Sequence, residues 1–127
     1  MTKTMFEMVR DFHTAFGQRV GEKPELPDYQ ERELRMRLMK EEVNEYNKAE
    51  DNNDIVNLAV ELADIIYIAC GTAVSYGIPL DDVFNAIHQA NMNKLIDGKV
   101  IRREDGKIKK PEGWQPADIA GILKRYS

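Results

Sequence analysis

Apolar residues recur at helical spacing through the first three quarters of the chain. Met5, Met8, Phe12 and Phe16, for example, follow one another at steps of three or four residues, which places them on one face of an α-helix. Glycine and proline interrupt this pattern between the first two helical stretches, at 17–28. The periodicity predicts four helices with approximate bounds 2–16, 28–50, 54–76 and 81–95.

Polar residues and glycines mark the expected ends of these helices. Asp28 followed by Glu31 is typical of a capping box that opens the second helix. Asn53 or Asp54 is expected to cap the third helix, and Gly77 suits the position after its last turn. The same reasoning makes Asp81 the expected cap of the fourth helix.

The pattern changes period after the fourth helix. Val100, Ile101 and Ile108 flank the Asp105-Gly106 pair, which predicts a short hairpin. Asp118 is expected to cap a last helix that ends near residue 126. We therefore predict an all-α fold in one domain spanning 1–127: a four-helix core, a short C-terminal β-hairpin and a final short helix.

Composition narrows the class of protein. The chain has 127 residues, of which 43% are hydrophobic and 31% charged, which is typical of a globular domain. A net charge of −4 argues against a surface built for a nucleic acid polymer. The single cysteine, Cys70, excludes an intramolecular disulfide and favours a cytoplasmic location. The longest apolar run, Ile65–Val74, is shorter than the ~20 residues of a membrane helix, so no membrane partner is expected.

Charge is unevenly distributed along the chain. Residues 41–64 contain eight acids and one base, whereas residues 98–113 contain six bases and three acids. This asymmetry suggests a bound cation at the acidic stretch and a bound anion at the basic one. We call residues 98–113 the basic segment.

Five carboxylates form the acidic constellation of greatest interest. On the second helix three glutamates fall within one arc, which overlaps the apolar stripe, and on the third helix two acids share a stripe with Leu58, Ile65 and Ile68. The five residues are Glu41, Glu42, Glu45, Glu61 and Asp64.

A short turn joins these two helices, so they are expected to pack antiparallel and to bring the five acids together. Any one of these glutamates is most simply part of a solvated acidic face. The set is different, because like charges do not gather at a partly buried interface without compensation. All-oxygen ligands without cysteine favour Mg²⁺, or Mn²⁺, as the compensating cation.

Two metal chemistries place carboxylates on paired helices. A ferritin-like di-iron site needs Glu-x-x-His on two helices, but Arg10 and Asn85 stand three residues before His13 and His88. The di-iron interpretation is therefore poor. The chemistry that remains is metal-assisted attack of water on a phosphate.

The acid pattern resembles that of a known group of enzymes. Glu41-Glu42-Val-Asn-Glu45, followed after fifteen residues by Glu61-Leu-Ala-Asp64, matches the E-E-x-x-E … E-x-x-D pattern of the all-α nucleoside triphosphate pyrophosphatases. This superfamily includes MazG, the dimeric dUTPases and phosphoribosyl-ATP pyrophosphohydrolase. Asn91-Met-Asn-Lys94 resembles its N-x-x-K motif, and the stretch from Asn93 to Asp118 resembles a MazG-like branch.

The resemblance implies an activity and a set of site residues. Members hydrolyse a nucleoside triphosphate between the α and β phosphates with Mg²⁺, and they work as homodimers or homotetramers, a dimer being the first expectation here. The implied metal ligands are Glu42, Glu45, Glu61 and Asp64. Glu41 either takes a second metal or orients the attacking water as a base. The residues expected to contact the substrate are Asn91, Lys94, Arg102 and Lys110.

Two other functions stay open at this stage. One is a catalytically silent nucleotide-binding or regulatory helical module, and the other is a helical interaction domain with an acidic surface. The base and sugar of the substrate cannot be deduced from these motifs. Trp114, the only tryptophan, is expected to be a lid or a packing anchor, with stacking on a base as the alternative.

Overall fold

The computed structural model describes residues 2–127 and confirms an all-α fold. The five helices of this part of the chain are α1 (Met5–Ala15), α2 (Tyr29–Asp51), α3 (Ile55–Tyr76), α4 (Leu80–Met92) and α5 (Ile119–Arg125). This part of the chain divides into two compact units, of which the first holds residues 2–80 and 127 and the second holds residues 81–126.

Local hydrogen bonds define the helix starts much as the sequence predicts. Thr4 and Glu7 form a capping box at α1, and the Asp28 side chain accepts from the Glu31 backbone N–H at 3.0 Å. Asp54 likewise caps α3 by accepting from the backbone N–H of Asn57 at 3.1 Å. These side chains satisfy N–H groups that the first turn of a helix leaves unpaired. Asp81 does not cap α4, because the helix already begins at Leu80.

In the first unit, α1 and α2 both pack against α3. The helices α2 and α3 are antiparallel. Glu31 near the start of α2 accepts from the Ser75 hydroxyl near the end of α3, and Arg35 lies beside Gly71 one turn further on. The apolar core of this unit is small and consists of Val9, Cys70 and Val74 with Phe6 and Leu80 packed around them.

The end of α3 requires a glycine. Gly77 has φ +69°, in the left-handed region, and a Cβ atom there would lie 2.2 Å from the carbonyl oxygen of Lys23. Its backbone N–H donates to Val74. Glycine alone fits this close approach of the loop to the helix end.

The helix α3 is also long and apolar enough to meet the length and composition criteria for a membrane span. Its 22 residues are longer than the apolar run Ile65–Val74, from which the sequence analysis expected no membrane partner. The core helix of a soluble protein passes the same test, so this is weak evidence for a membrane. In the first unit α3 packs against two helices and carries the half-buried acids Glu61 and Asp64.

The predicted β-hairpin is wrong. Within residues 2–127 the basic segment contains only isolated bridges, and Arg102 pairs with Ile108 at one of them. The turn at Asp105-Gly106 does form, and the backbone N–H of Arg103 donates to Lys107 at 2.7 Å. Val100, Ile101 and Ile108 are all exposed, so the ladder lacks the buried apolar face that stabilises two strands.

Candidate active site

Three carboxylates meet where α2 packs against α3. Glu42, Glu61 and Asp64 each contribute one oxygen atom to a group whose members lie within 4.8 Å of one another. All three side chains are half-buried. On α3 the two acids belong to the half-buried stripe that also includes Leu58, Ile65 and Ile68. We call Glu42, Glu61 and Asp64 the acid cluster.

The electrostatics of the acid cluster show that its negative charge is poorly compensated. The pKa of Glu42 is raised from 4.5 to about 7, chiefly because its side chain shares a hydrogen bond with Glu61. Burial and the negative charges of Glu61, Asp64 and Glu45 raise it further. Glu42 therefore keeps its proton to a higher pH than an ordinary glutamate, and a bound cation would relieve the same crowding of negative charge.

One oxygen of the cluster lacks any partner. Glu61 Oε2 is buried and accepts no hydrogen bond from residues 2–127. An unpaired buried carboxylate oxygen is costly, and a cation at this position would remove the cost. Three converging carboxylates without sulfur or histidine suit a hard divalent cation such as Mg²⁺ or Mn²⁺. The residues present therefore fit the predicted metal.

The structure separates the other two glutamates from this cluster. Glu41 and Glu45 are exposed, and Glu45 accepts from Lys48 Nζ at 3.2 Å. The stripe of α2 that faces α3 is narrower than the predicted arc, and of the three glutamates only Glu42 lies on it. Glu45 is still close enough for its charge to act on Glu42.

The expected substrate-binding residues lie in the second unit. Asn91 is exposed in the last turn of α4, which ends at Met92. The prediction placed Lys94 on this helix, but the residue lies in the turn that follows it. Its backbone N–H donates to the Asn91 carbonyl at 3.1 Å. The two residues remain neighbours, but the turn, and not a shared helical face, places them together.

Two residues of the basic segment have different surroundings. Arg102 Nη1 donates to the carbonyl of Gly106 at 2.9 Å, so this side chain supports its own turn. Lys110 lies over the ring of Trp114, with Nζ 5.1 Å from the centroid. Lys94 approaches the same ring at 5.2 Å. Sequence reasoning missed this meeting, and no periodic signal links Lys94 to a tryptophan so far along the chain.

Trp114 is fixed in place by its own hydrogen bond. The indole Nε1–H donates to the carbonyl of Ala90 in α4 at 2.7 Å, and the side chain is half-buried. This agrees with the expected anchoring role. His13 is also accounted for by structure, because it is buried and its Nδ1–H donates to the Arg19 carbonyl at 2.8 Å.

Comparison with known proteins identifies the family. The family model for phosphoribosyl-ATP pyrophosphohydrolase matches residues 9–91. The match includes the whole acid cluster and ends at Asn91, before Lys94 and the basic segment. No curated protein is similar enough to the chain to count as a relative. Because the matched residues make up more than half of the chain, this protein belongs to the phosphoribosyl-ATP pyrophosphohydrolase family of nucleotide pyrophosphohydrolases, within the MazG-like nucleoside triphosphate pyrophosphatase superfamily.

Proposed function

We propose that this protein is a Mg²⁺-dependent nucleoside triphosphate pyrophosphohydrolase that releases a nucleoside monophosphate and pyrophosphate. The observation that supports it best is the convergence of Glu42, Glu61 and Asp64, with Glu61 Oε2 buried and unpartnered. Family membership supports nucleotide pyrophosphohydrolysis in general. The resemblance of the acid motif supports cleavage between the α and β phosphates.

The proposed roles follow from the position of each acid. Glu42, Glu61 and Asp64 would hold the cation. Glu45, whose charge acts on Glu42, is proposed as a fourth ligand because the motif resemblance implies it. When bound, the cation neutralises phosphate oxygens and lowers the pKa of an attacking water. Glu41 is exposed at the adjoining position of α2. Its proposed role is to accept a proton from that water or to bind a second metal.

The second unit supplies groups suited to the phosphate chain. Asn91 and Lys94 are joined by a backbone hydrogen bond at the end of α4, and their side chains carry an amide and an ammonium group. Arg102 and Lys110 add positive charge from the basic segment, which carries a surplus of bases over acids. We propose that these four residues bind the substrate.

A substrate panel tests the proposed function. Purified protein is incubated with canonical and damaged nucleoside triphosphates and with phosphoribosyl-ATP, in Mg²⁺ and in excess chelator. We expect metal-dependent release of a monophosphate from at least one triphosphate. Binding of triphosphates without turnover of any of them would contradict the proposal and indicate a silent nucleotide-binding module.

The bond that is cleaved can be read from the products. Hydrolysis in ¹⁸O-labelled water should place the label in either the monophosphate or the pyrophosphate, according to which phosphorus water attacks. Mass spectrometry of early time points measures this before any secondary hydrolysis. A nucleoside diphosphate with labelled orthophosphate as the first products would contradict cleavage between the α and β phosphates.

We also propose that two copies of the chain associate through α1 and α3. An apolar groove of about 250 Å³ lies between these helices, and its lining includes Met5, Met8, Ile66 and Tyr67. All four side chains are exposed, and Met5 keeps 62% of its surface accessible. Contiguous exposed apolar side chains of this kind are typical of an interface between subunits.

Charged substitutions in the groove test this association. Met8→Glu and Ile66→Lys should convert a dimer to a monomer, because each would bury a charge in the interface where water cannot solvate it. Light scattering after size exclusion measures the mass, and Met36→Glu, on the exposed face of α2, is the control. A monomeric wild-type protein, or variants that stay dimeric, would contradict this assignment of the interface.

A further inference from the structure

Two lysine side chains meet at the single tryptophan of the chain. Lys94 Nζ and Lys110 Nζ lie 5.2 Å and 5.1 Å from the Trp114 ring centroid. Both distances are within the range of a cation–π interaction. Since each ammonium is this close to the same centroid, the two are no more than about 10 Å apart. One extended polyphosphate chain can bridge such a pair.

Trp114 is itself anchored by two hydrogen bonds. Its Nε1–H is bonded to Ala90 in α4, and its backbone N–H donates to the Pro111 carbonyl at 3.1 Å. Lys94 follows α4 directly, whereas Lys110 precedes the turn that carries the tryptophan. The indole therefore joins two segments that bring one ammonium each.

The charge of these lysines is not neutralised within residues 2–127. Neither Lys94 nor Lys110 forms an ion pair with a carboxylate there, whereas Arg103 in the same segment pairs with Asp105 at 2.5 Å. Two neighbouring ammonium groups repel each other, and the negative face of the indole only partly offsets that repulsion. An anion that contacts both ammonium groups would stabilise them.

We infer that Trp114 is a positioning residue that holds Lys94 and Lys110 as a pair for one polyphosphate chain. This inference rests on the proposed function, since a triphosphate is the substrate that would use the pair. Both ammonium groups lie over the ring, so in this inference the tryptophan acts through the lysines and not by stacking on a base. The pair lies beyond the residues that the family model matches.

The first test uses the natural fluorescence of Trp114. Inorganic tripolyphosphate is titrated into the full-length protein in excess chelator, so that the acid cluster cannot hold phosphate through a metal. We expect a saturable change in fluorescence, weakened roughly tenfold by Lys94→Ala or Lys110→Ala and reduced by salt, since salt screens exposed charges over ~10 Å at 0.1 M. Lys124→Ala in α5 removes the same charge outside the basic segment and should bind like wild type.

The second test separates positioning from a merely structural role. Trp114→Leu should raise KM for the triphosphate substrate by about as much as Lys110→Ala and leave kcat within about twofold. Trp114→Phe keeps an aromatic face and should stay nearer to wild type. Lys110→Arg should restore binding, because a guanidinium stacks on an indole and keeps the charge. Lys110→Ala should add little in the Trp114→Leu background, which double-mutant analysis measures.

Defined outcomes would overturn the inference. Unaltered fluorescence with tripolyphosphate, equal effects of Trp114→Leu and Trp114→Phe, or additive effects of Trp114→Leu and Lys110→Ala would each do so. If Trp114→Leu does not fold, the Lys110→Ala and Lys110→Arg pair gives the same decision. Metal-dependent hydrolysis without tripolyphosphate binding would contradict this inference but not the proposed function. Tripolyphosphate binding without hydrolysis of any triphosphate would contradict the proposed function but not the binding of a polyphosphate by the lysine pair.

Discussion

Replacing Asp64 by asparagine is expected to lower kcat by roughly 100-fold or more, since the change removes a charged ligand from the acid cluster. The two side chains have nearly the same size, so the fold should be retained. Glu61→Gln should act similarly, because it removes the charge of the residue whose Oε2 is buried without a partner. Activity on the best substrate of the panel, measured in saturating Mg²⁺, checks both variants.

A matched control and a stability measurement make this result specific. Asp51→Asn makes the same chemical change at an exposed position at the end of α2 and should leave kcat unchanged. In excess chelator, Asp64→Asn should unfold at the same temperature as wild type or a higher one, because one of the repelling charges around Glu42 is gone. Full activity of Asp64→Asn and Glu61→Gln together would refute the metal site.

Removal of the metal is expected to abolish activity and to lower the melting temperature above pH 7 but not near pH 5. Folding raises the pKa of Glu42 from 4.5 to about 7, so the folded chain holds this proton more tightly than the unfolded chain. The resulting stabilisation is fully present below about pH 4.5 and is lost as pH rises through about 7. In chelator the melting temperature of the wild-type protein should therefore fall as pH rises through this range, and it should fall more than that of Glu42→Gln.

Mg²⁺ should reverse that loss where the cluster is ionised. A ligand that binds only the folded chain stabilises it by about 2.7 kcal/mol at one hundred times its dissociation constant, which amounts to several degrees for a domain of this size. Below pH 5 protons compete for the same oxygens, and the shift should vanish. Thermal unfolding in Mg²⁺ and in chelator, between pH 5 and 8, measures both effects.

Glu42→Gln provides the control for this pH dependence. The variant cannot ionise at this position, so its stability in chelator should vary less between pH 5 and 8, and Mg²⁺ should stabilise it less. An equal Mg²⁺ shift at pH 5 and pH 8 would contradict the role of Glu42, as would identical pH profiles of Glu42→Gln and wild type.

The sequence alone determined the helices and most of their ends, and it predicted a set of acids of which three meet in the structure. Apolar periodicity and caps such as Asp28, Asp54 and Gly77 are local features, since they depend on residues within one or two turns. The motif that links Glu42 to Glu61 and Asp64 spans one helix, one short turn and a second helix, so the antiparallel packing follows almost directly. These features therefore survive the comparison with the structure.

The tertiary structure decided which side chains face each other. Helical spacing places Glu41, Glu42 and Glu45 in one arc, but the side of α2 that α3 covers selects Glu42 alone. The hairpin prediction is wrong for a related reason. The Asp105-Gly106 pair suffices for a turn, but two strands also need a packed apolar face. Val100, Ile101 and Ile108 are exposed and form no such face. The meeting of Lys94 with Trp114 depends on how the chain returns to α4. Contacts between residues far apart in sequence are set by packing, which local patterns do not contain.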